Sequence, residues 1–324
     1  MSKTPTFSFV IPAYNEQENI PLLYKLLCNL DFEDSESFEV LFINDGSEDD
    51  TEQTVKQLSI QDDRVKLINL SRNFGHQAAL SAGLKYARGK AVITMDCDLQ
   101  DPPEVAVQMI NMWKNGTDIV YARRNNFRKD NFIKRAGSKI YYRLMKRFAG
   151  IDIPTNVGDF RLVDKKVLDE LNRMGEHSRY LRGMVAWTGF SHDFVNYDRP
   201  DRRLGISGYS FSKLATLGMD GMVNFSVLPL RLGFILGFVS IISGMGLFFY
   251  QLLDVIFNDV YYHLYKWLIV IVYIFMGFMF LLLWIIGEYI GKIYDETRNR
   301  PIYIVKETVN LDEFSLKSYK VESS

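Results

Sequence analysis

The sequence predicts an α/β domain built on a mainly parallel sheet, followed by a hairpin of two membrane-spanning helices. Three observations predict this fold class. Short apolar runs alternate with segments of helical periodicity through about the first two thirds of the chain. Polar and acidic residues follow the ends of several of these runs. Two stretches without any charged residue, 22 and 21 residues long, lie in the C-terminal third.

The first part of the chain predicts strands that alternate with helices. Strands are expected at residues 7–12, 38–44, 65–70 and 90–95. Helices are expected at residues 15–30, 49–58 and 77–86. This alternation indicates a parallel, doubly wound sheet, in which ligands bind beyond the carboxyl ends of the strands.

Polar side chains follow three of these strands. They are Tyr14, Glu16, Asp45, Asp96 and Asp98. We expect them to line one crevice, because the carboxyl ends of parallel strands share one edge of the sheet. The sequence has neither a glycine-rich dinucleotide fingerprint after the first strand nor a P-loop motif. A bound nucleotide is therefore expected to be held by acidic residues together with a metal ion.

The motif at residues 96–103, Asp-Cys-Asp-Leu-Gln-Asp-Pro-Pro, follows the fourth strand directly. The carboxylates of Asp96 and Asp98 can face one divalent cation, with the side-chain amide of Gln100 as a further ligand. Mg²⁺ and Mn²⁺ prefer such oxygen ligands and bridge them to diphosphate. A solvated turn is the alternative for two such aspartates alone. The position at a strand end favours a metal–diphosphate site, and Cys97 is interpreted as packing.

Composition and charge exclude several classes of protein. The chain has 324 residues, 38 Lys and Arg against 39 Asp and Glu, and a formal net charge of -1. Balanced charge argues against a general nucleic-acid binder. Two cysteines exclude a disulfide framework and a four-cysteine zinc site. The four histidines, at positions 76, 177, 192 and 263, share no metal-ligand spacing and are interpreted as structural or incidental.

Several motifs together resemble the family 2 glycosyltransferases with the GT-A fold. They are Val-Ile-Pro-Ala-Tyr-Asn-Glu at 10–16, Asn-Asp-Gly-Ser at 44–47, Ser-Arg-Asn-Phe-Gly at 71–75, the run at 96–103, Gly-Asp-Phe-Arg-Leu at 158–162 and Arg-Tyr-Leu-Arg-Gly at 179–183. With the two apolar stretches, the chain resembles the bacterial polyprenyl-phosphate glycosyltransferases, relatives of dolichol-phosphate mannose synthase. The resemblance covers residues 5–305.

The resemblance implies roles for the matched residues. The nucleotide-sugar ligands would be Pro12, Tyr14, Glu16, Asp45, Asp96 and Arg203. The ligands of Mg²⁺ or Mn²⁺ would be Asp96, Asp98 and Gln100. Asp159 and Asp98 are the catalytic candidates. Gly208 stands where the family usually has a lysine, so the loop around Arg203 is otherwise expected to act only as a mobile lid.

The chemical role of Asp159 stays open at this point. The acceptor implied by the resemblance is a polyprenyl monophosphate, which is mostly ionised near neutral pH and needs little deprotonation. Asp159 would then orient the acceptor or stabilise positive charge at the sugar carbon, as carboxylates do beside oxocarbenium-like states. The alternative is a structural ion pair with the neighbouring Arg161.

A basic stretch between residues 123 and 147 carries ten Lys and Arg against one acidic residue. Aromatic and apolar residues interleave it from residue 132 onward, which predicts an amphipathic helix at a membrane surface. A solvated charged face and a nucleic-acid patch are the alternatives. Arginine's planar fork suits phosphate oxygens. The candidates for binding the lipid phosphate are Arg123, Arg124, Arg135 and Lys139.

The two uncharged stretches, 232–253 and 267–287, are each predicted to span a membrane, because a bilayer core of about 30 Å needs roughly 20 helical residues. Basic residues on their outer flanks predict that both flanks are cytoplasmic. The expected order is a cytosolic GT-A domain at 1–208, interfacial helices at 209–230, a membrane hairpin at 231–291 and a cytosolic tail at 292–324. The expected location is the bacterial plasma membrane.

The tail from residue 301 alternates in polarity like a short strand. We expect it to pair with a neighbouring subunit, since the resembling family tends to form homo-oligomers, here expected to be a tetramer.

The sequence therefore predicts a membrane-anchored, metal-dependent enzyme that transfers a hexose from a nucleotide sugar, taken as UDP-glucose, to undecaprenyl phosphate with inversion. UDP-GlcNAc, UDP-galactose, GDP-mannose or an amino sugar are alternative donors. A processive polysaccharide synthase is disfavoured, because its Gln-x-x-Arg-Trp motif and additional spans are missing. A non-catalytic membrane scaffold is disfavoured by the intact Asp96, Asp98 and Asp159.

Overall fold

The computed structural model describes residues 4–33, 35–125, 154–176, 179–198 and 264–311, with isolated helical positions between 242 and 257. Contacts divide the chain into two units. The first comprises 1–142, 151–208 and 301–324, and the second comprises 143–150 and 209–300. The predicted basic helix, the loop around Arg203 and the interfacial helices lie outside the described residues, as do Arg135 and Lys139.

The first unit, in its described residues, is built on one eight-stranded sheet. The strands are β1 (Phe7–Ala13), β2 (Phe38–Asn44), β3 (Val65–Leu70), β4 (Ala91–Thr94), β5 (Ile119–Arg124), β6 (Val157–Asp164), β7 (His192–Tyr197) and β8 (Val305–Val309). Their order across the sheet is β7-β5-β6-β4-β1-β2-β3-β8.

Most neighbouring strands run parallel, as predicted. β1 pairs in parallel with β2 and β4, β2 with β3, and β5 with β7. β6 runs antiparallel between β4 and β5, and β8 runs antiparallel to β3. The mainly parallel α/β sheet expected from the sequence is therefore confirmed, with two antiparallel strands that the sequence pattern did not predict.

Helices connect and cover the strands of this unit. They are α1 (Asn19–Cys28), α2 (Thr51–Gln61), α3 (His76–Tyr86), α4 (Pro103–Lys114), α5 (Lys165–Arg173) and α6 (Leu181–Trp187). Every residue of β1 and β2 is buried, which is why both strands are mainly apolar in sequence. α3 packs closely on them at Gly83, where a Cβ would lie 2.3 Å from the Val10 side chain.

The strand predicted in the tail exists, but its expected partner was wrong. β8 pairs with β3 of the same chain. The Ser71 N–H donates to the Ile304 carbonyl at 2.9 Å, and the Asn310 amide donates to the Val65 carbonyl at 3.0 Å. β3 is otherwise the edge of the sheet, with unpaired backbone groups that favour the addition of a strand. The tail of the same chain supplies that strand.

The described part of the second unit is dominated by α7 (Leu264–Thr297), a helix of 34 residues that includes the second predicted span. Among the described residues, no helix is found to combine the length and the apolar character that crossing a membrane requires. The membrane hairpin therefore stays a prediction.

Candidate functional site at the carboxyl ends of the strands

The loops that follow β1 and β2 are tied to each other. The Asn15 N–H donates to Ser47 Oγ at 3.0 Å, and Asn15 Oδ1 accepts from the Glu48 N–H at 2.9 Å. The Glu16 N–H donates to Thr51 Oγ1 at 2.9 Å. These bonds place the two loops side by side at one edge of the sheet, as expected for a ligand-binding crevice.

The residues predicted to hold the base and ribose occupy different positions in this crevice. Pro12 is buried within β1, whereas Tyr14 lies past its end and is 42% exposed. The carboxylate of Glu16 accepts a hydrogen bond from the Asn19 amide at 2.5 Å. Of these three, Tyr14 is the one that presents a large surface to a ligand.

Asp45 is buried and organises the loop before α3. Its two oxygens accept the N–H groups of Phe74 and Gly75 at 2.8 and 2.9 Å. Burial raises the pKa of its carboxyl, although these two bonds oppose the shift. Gly46 has φ 67°, and a Cβ there would lie 2.4 Å from the Arg72 backbone carbon. Only glycine fits this close approach of the two loops.

The first two aspartates of the 96–103 motif, Asp96 and Asp98, lie in the turn after β4. Cys97 between them is buried, as predicted for packing, whereas Asp96 and Asp98 are partly exposed. Asp98 Oδ1 accepts the Gln100 N–H at 3.1 Å. Leu99 has φ 59°, an uncommon conformation for a non-glycine residue. Both carboxylates are therefore partly accessible to solvent at the end of β4.

The pair Asp96 and Asp98 fits a divalent cation. Within the described ranges, no group of three or more His, Cys, Asp or Glu converges as a complete metal cage. Mg²⁺ does not need such a cage, because proteins hold it through one or two carboxylates together with substrate phosphates. A role of Gln100 as a further ligand stays a prediction.

A third aspartate of the same motif, Asp101, is buried and fixes the backbone of the turn. It is 1% exposed, and its Oδ2 accepts the Asp96 N–H at 3.3 Å. Its Oδ1 accepts the hydroxyl of Tyr197 at 2.9 Å, and that hydroxyl accepts from Arg124 Nε at 3.3 Å. Burial raises the pKa of Tyr197, which keeps its hydroxyl protonated. This chain of hydrogen bonds joins the turn to the ends of β5 and β7.

Two of the predicted lipid-phosphate residues lie at the end of β5. The guanidinium of Arg123 stacks on the Phe194 ring at 3.5 Å from its centroid. Arg123 Nε is buried and finds no hydrogen-bond acceptor within the part of the chain that the structure describes. The Arg124 N–H donates to the Asn156 carbonyl at 3.1 Å. Both arginines thus share the edge of the sheet that carries the aspartates.

Asp159 lies near the start of β6, which is the same edge because β6 runs antiparallel to β4. It is 7% exposed and accepts Arg161 Nη2 at 2.7 Å. Arg182 Nε and Nη2 donate to its two oxygens at 3.1 and 2.9 Å. Burial acts to raise the pKa of Asp159, but the charge of Arg182, the nearby His76 and the charge of Arg161 hold it well below its usual range.

His76, interpreted from the sequence as structural or incidental, lies among the site's carboxylates. As the first residue of α3, it brings Nε2 to 3.6 Å from both Asp96 Oδ1 and Asp159 Oδ2. These carboxylates raise the pKa of His76, although desolvation favours the neutral ring. Gln77, the next residue, directs Nε2 to Asp159 Oδ2 at 3.5 Å. Both residues directly follow the motif at 71–75, but nothing in the local sequence indicates their contact with Asp159.

Arg182 is the other site residue that sequence reasoning left without a role. It lies within the motif at 179–183, yet nothing in that motif indicates that α6 approaches β6. Gln77 Oε1 accepts the Leu181 N–H at 3.2 Å, which fixes the start of α6 against α3. The tertiary contact between three elements therefore creates this part of the site.

Comparisons with known proteins identify the family of this chain. Residues 8–171 match the family described as Glycosyl transferase family 2. YkcC, an uncharacterized glycosyltransferase of Bacillus subtilis, is 41% identical over 96% of this chain and 97% of its own length. The prophage bactoprenol glucosyl transferase homolog of Escherichia coli is 37% identical over 92% of this chain and 98% of its own length.

Among solved structures, the glucosyl-3-phosphoglycerate synthase from Mycobacterium tuberculosis has 16% sequence identity and a TM-score of 0.47, covering 68% of this chain and 78% of that chain. The sequence relatives decide the classification, because they match nearly the whole chain and the family match contains Asp45, Asp96, Asp98 and Asp159. The chain belongs to glycosyl transferase family 2 and is a glycosyltransferase.

Proposed function

We propose that this glycosyltransferase moves glucose from UDP-glucose to undecaprenyl phosphate, with inversion and with Mg²⁺ or Mn²⁺. The observation that carries the proposal is the near full-length match to the relative named for glucosyl transfer to bactoprenol. It is supported by the partly exposed pair Asp96 and Asp98 at the sheet edge where β5 ends in Arg123 and Arg124, because both substrates are phosphate compounds.

The proposed reaction exchanges one bond at the sugar carbon. A phosphate oxygen of the acceptor forms a bond to C1 while the bond from C1 to the β-phosphate oxygen breaks. The electron pair of the broken bond leaves with UDP, and attack from the opposite face inverts C1. The second pKa of a phosphate monoester is about 6, so at neutral pH the acceptor phosphate attacks as a dianion. No proton has to be removed from it.

Different residues at the strand ends are proposed to bind the cation, to hold the turn that carries its ligands and to shape the loop beside the nucleoside. Asp96 and Asp98 would hold the cation, which supplies positive charge to the leaving diphosphate. Asp101 and Tyr197 fix the turn that carries these ligands. Asp45 shapes the loop before α3, against which the nucleoside is proposed to lie.

The acceptor side is proposed at the end of β5. Arg123 and Arg124 would meet the lipid phosphate there, together with Arg135 and Lys139, whereas Arg203 is proposed to contact the diphosphate of the nucleotide sugar. The uncharged stretches at 232–253 and 267–287 are proposed to anchor the chain in the bacterial plasma membrane, with the glycosyltransferase unit on the cytoplasmic side. This placement would bring the lipid to the site along the membrane surface, so that it meets the bound donor more often than it would from free solution. A homo-oligomer stays part of the proposal.

A transfer assay tests the reaction. Membranes that carry the protein are incubated with undecaprenyl phosphate, Mg²⁺ or Mn²⁺ and a panel of radiolabelled nucleotide sugars. We expect label in the lipid fraction from UDP-glucose, abolished by EDTA. Asp98→Asn is expected to lower the rate roughly a hundredfold or more, because the cation contributes several kcal/mol of charge stabilisation. Asp63→Asn, at an exposed position outside the crevice, is the matched control.

Three results would change the proposal in different ways. Lipid label from another nucleotide sugar would replace the donor and keep the reaction class. Transfer that persists in EDTA and in Asp98→Asn would reject the metal site. Folded protein that binds no UDP and labels no lipid with any donor would favour the non-catalytic scaffold.

A further inference from the structure

Arg182 is the surface member of a buried ion cluster. Its side chain is 36% exposed, whereas the Asp159 and Arg161 side chains are 7% and 3% exposed. Arg161 is enclosed, since its guanidinium also donates to the Leu181 carbonyl at 3.4 Å. Of the three charged groups, Arg182 is therefore the one that a ligand in the crevice can reach.

The geometry around Asp159 is that of an anchor for arginine. Arg182 meets the carboxylate through both Nε and Nη2, the two-pronged arrangement that fixes the orientation of a guanidinium. Arg161 bonds to the same carboxylate from the buried side. Two guanidinium groups share one carboxylate, so these three side chains together carry a net charge of one positive unit. Arg182 is the member of the cluster that a ligand can reach.

The same geometry makes Asp159 a poor proton acceptor. Both of its oxygens accept hydrogen bonds from arginine, and little of it is exposed to a substrate. The proposed acceptor attacks as a dianion, so the reaction leaves no proton for Asp159 to take. A carboxylate placed in this way has a clear physical task, which is to hold Arg182 in one orientation.

Arg182 also lies close to the proposed metal turn. Asp159 Oδ2 is 3.6 Å from His76 Nε2, and the same nitrogen is 3.6 Å from Asp96 Oδ1. One imidazole nitrogen is thus near both the carboxylate that holds Arg182 and a proposed ligand of the cation. A phosphate group bound near the proposed cation would therefore lie close to the guanidinium of Arg182.

We infer that Arg182 binds a phosphate group of a substrate and that Asp159 is the positioning residue that orients its guanidinium. The inference rests on the proposed function for the identity of the two phosphate compounds. The phosphate belongs either to the nucleotide diphosphate or to the lipid monophosphate, which share the chemistry that a guanidinium recognises.

The test compares Arg182→Gln, Arg182→Lys, Asp159→Asn and the double variant Arg182→Gln/Asp159→Asn with the wild-type protein. Arg173→Gln is the matched control, because Arg173 lies on α5 with a side chain that is 75% exposed. The measurements are kcat, the KM for UDP-glucose, the KM for undecaprenyl phosphate, and the calorimetric affinities for UDP and for farnesyl phosphate in micelles.

We expect Arg182→Gln to raise one of the two KM values about tenfold or more, with a smaller effect on kcat. The affected substrate identifies the source of the phosphate. Arg182→Lys is expected to fall in between, because lysine keeps the charge and loses the planar fork. Asp159→Asn is expected to raise the same KM, and the double variant to be no worse than the more affected single variant, because the two residues act as one unit.

Two outcomes would overturn the inference. In the first, Arg182→Gln matches Arg173→Gln in both KM values and in both affinities. In the second, Asp159→Asn lowers kcat about a thousandfold while Arg182→Gln stays near wild type, which would place Asp159 on the reacting atoms.

The binding measurements separate this inference from the proposed function. A wild-type protein that transfers no sugar would reject the function, while the affinities for UDP and farnesyl phosphate would still test Arg182. If Asp159→Asn fails to fold because two guanidinium groups lose their shared carboxylate, the Arg182 variants decide alone.

Discussion

At the scale of single residues, the environment of each aspartate separates structural from ligand-facing roles. Asp45 and Asp101 are buried and accept hydrogen bonds from backbone N–H groups or from a tyrosine. Asp96 and Asp98 are partly exposed beside them. A buried carboxylate is stable only when it is hydrogen-bonded, so the first pair fixes the loops that present the second pair.

Asp62, at the end of α2, gives a pH-dependent prediction. The hydrogen bond from Arg64 lowers the pKa of Asp62 to about 2. A carboxyl whose pKa is lowered in the folded state stabilises the protein above its unfolded pKa and loses this contribution as the pH falls toward the folded pKa. We expect Asp62→Asn to cost about 1 kcal/mol of unfolding free energy at pH 7, and the difference to shrink below pH 4.

Urea unfolding of the wild type and Asp62→Asn between pH 7 and pH 2.5 checks this expectation. The neighbouring exposed residue provides the control variant Asp63→Asn. A difference between wild type and Asp62→Asn that stays constant over this range would contradict the ion pair with Arg64.

At the scale of elements, the described strands predicted from local pattern agree with the structure, and the unpredicted features depend on distant pairing. β2 and β3 have the predicted bounds, because both are mainly apolar and their two charged residues, Glu39 and Lys66, pair with each other. The insertion of β6 between β4 and β5 has no local signal. His76 and Arg182 were not predicted as site residues for the same reason, since their contacts form only where α3 and α6 meet β6. The site's aspartates were predictable because they follow strand ends directly.

The hydroxyl of Tyr197 links β7, β5 and the turn after β4, which gives a prediction at this scale. Tyr197→Phe keeps the ring and removes the donor to Asp101 and the acceptor of Arg124. We expect a loss of about 1 kcal/mol of unfolding free energy. We also expect the Mn²⁺ concentration for half-maximal transfer to rise severalfold, because Asp101 holds the Asp96 backbone.

Thermal unfolding and a metal titration of the transfer rate measure the two effects. Tyr265→Phe, which changes an exposed tyrosine of α7, serves as the control. A lower melting temperature with an unchanged metal requirement would show that the hydrogen bonds stabilise the fold without supporting the metal turn.

At the scale of the whole molecule, the glycosyltransferase unit is assembled from segments that precede and follow the second unit's main segment, 209–300, in the sequence. β8 covers the edge of β3, and the Ile304 carbonyl accepts the N–H of Ser71, at the start of the 71–75 loop. That loop ends in the N–H groups that bind Asp45. The tail therefore supports the 71–75 loop, whose last two N–H groups bind Asp45.

A pair of truncations tests this support. A chain that ends at Arg300 lacks β8, and we expect it to aggregate or to bind UDP at least about tenfold more weakly, because the β3 edge is open and the 71–75 loop loses its anchor. A chain that ends at Leu311 keeps β8 and is the matched control, expected to bind UDP like the full chain. Equal UDP affinity in both would show that the tail strand does not support the site.

The place of β8 at the far end of the chain also sets the order of events during synthesis. Its neighbour Asn310 bonds to a carbonyl 245 residues earlier. At about 5 to 20 residues per second, the ribosome needs on the order of ten to fifty seconds to make the intervening chain. The open edge of β3 must be shielded through that interval, and a message cut short after α7 would release a protein whose sheet can only be completed by a strand from another molecule.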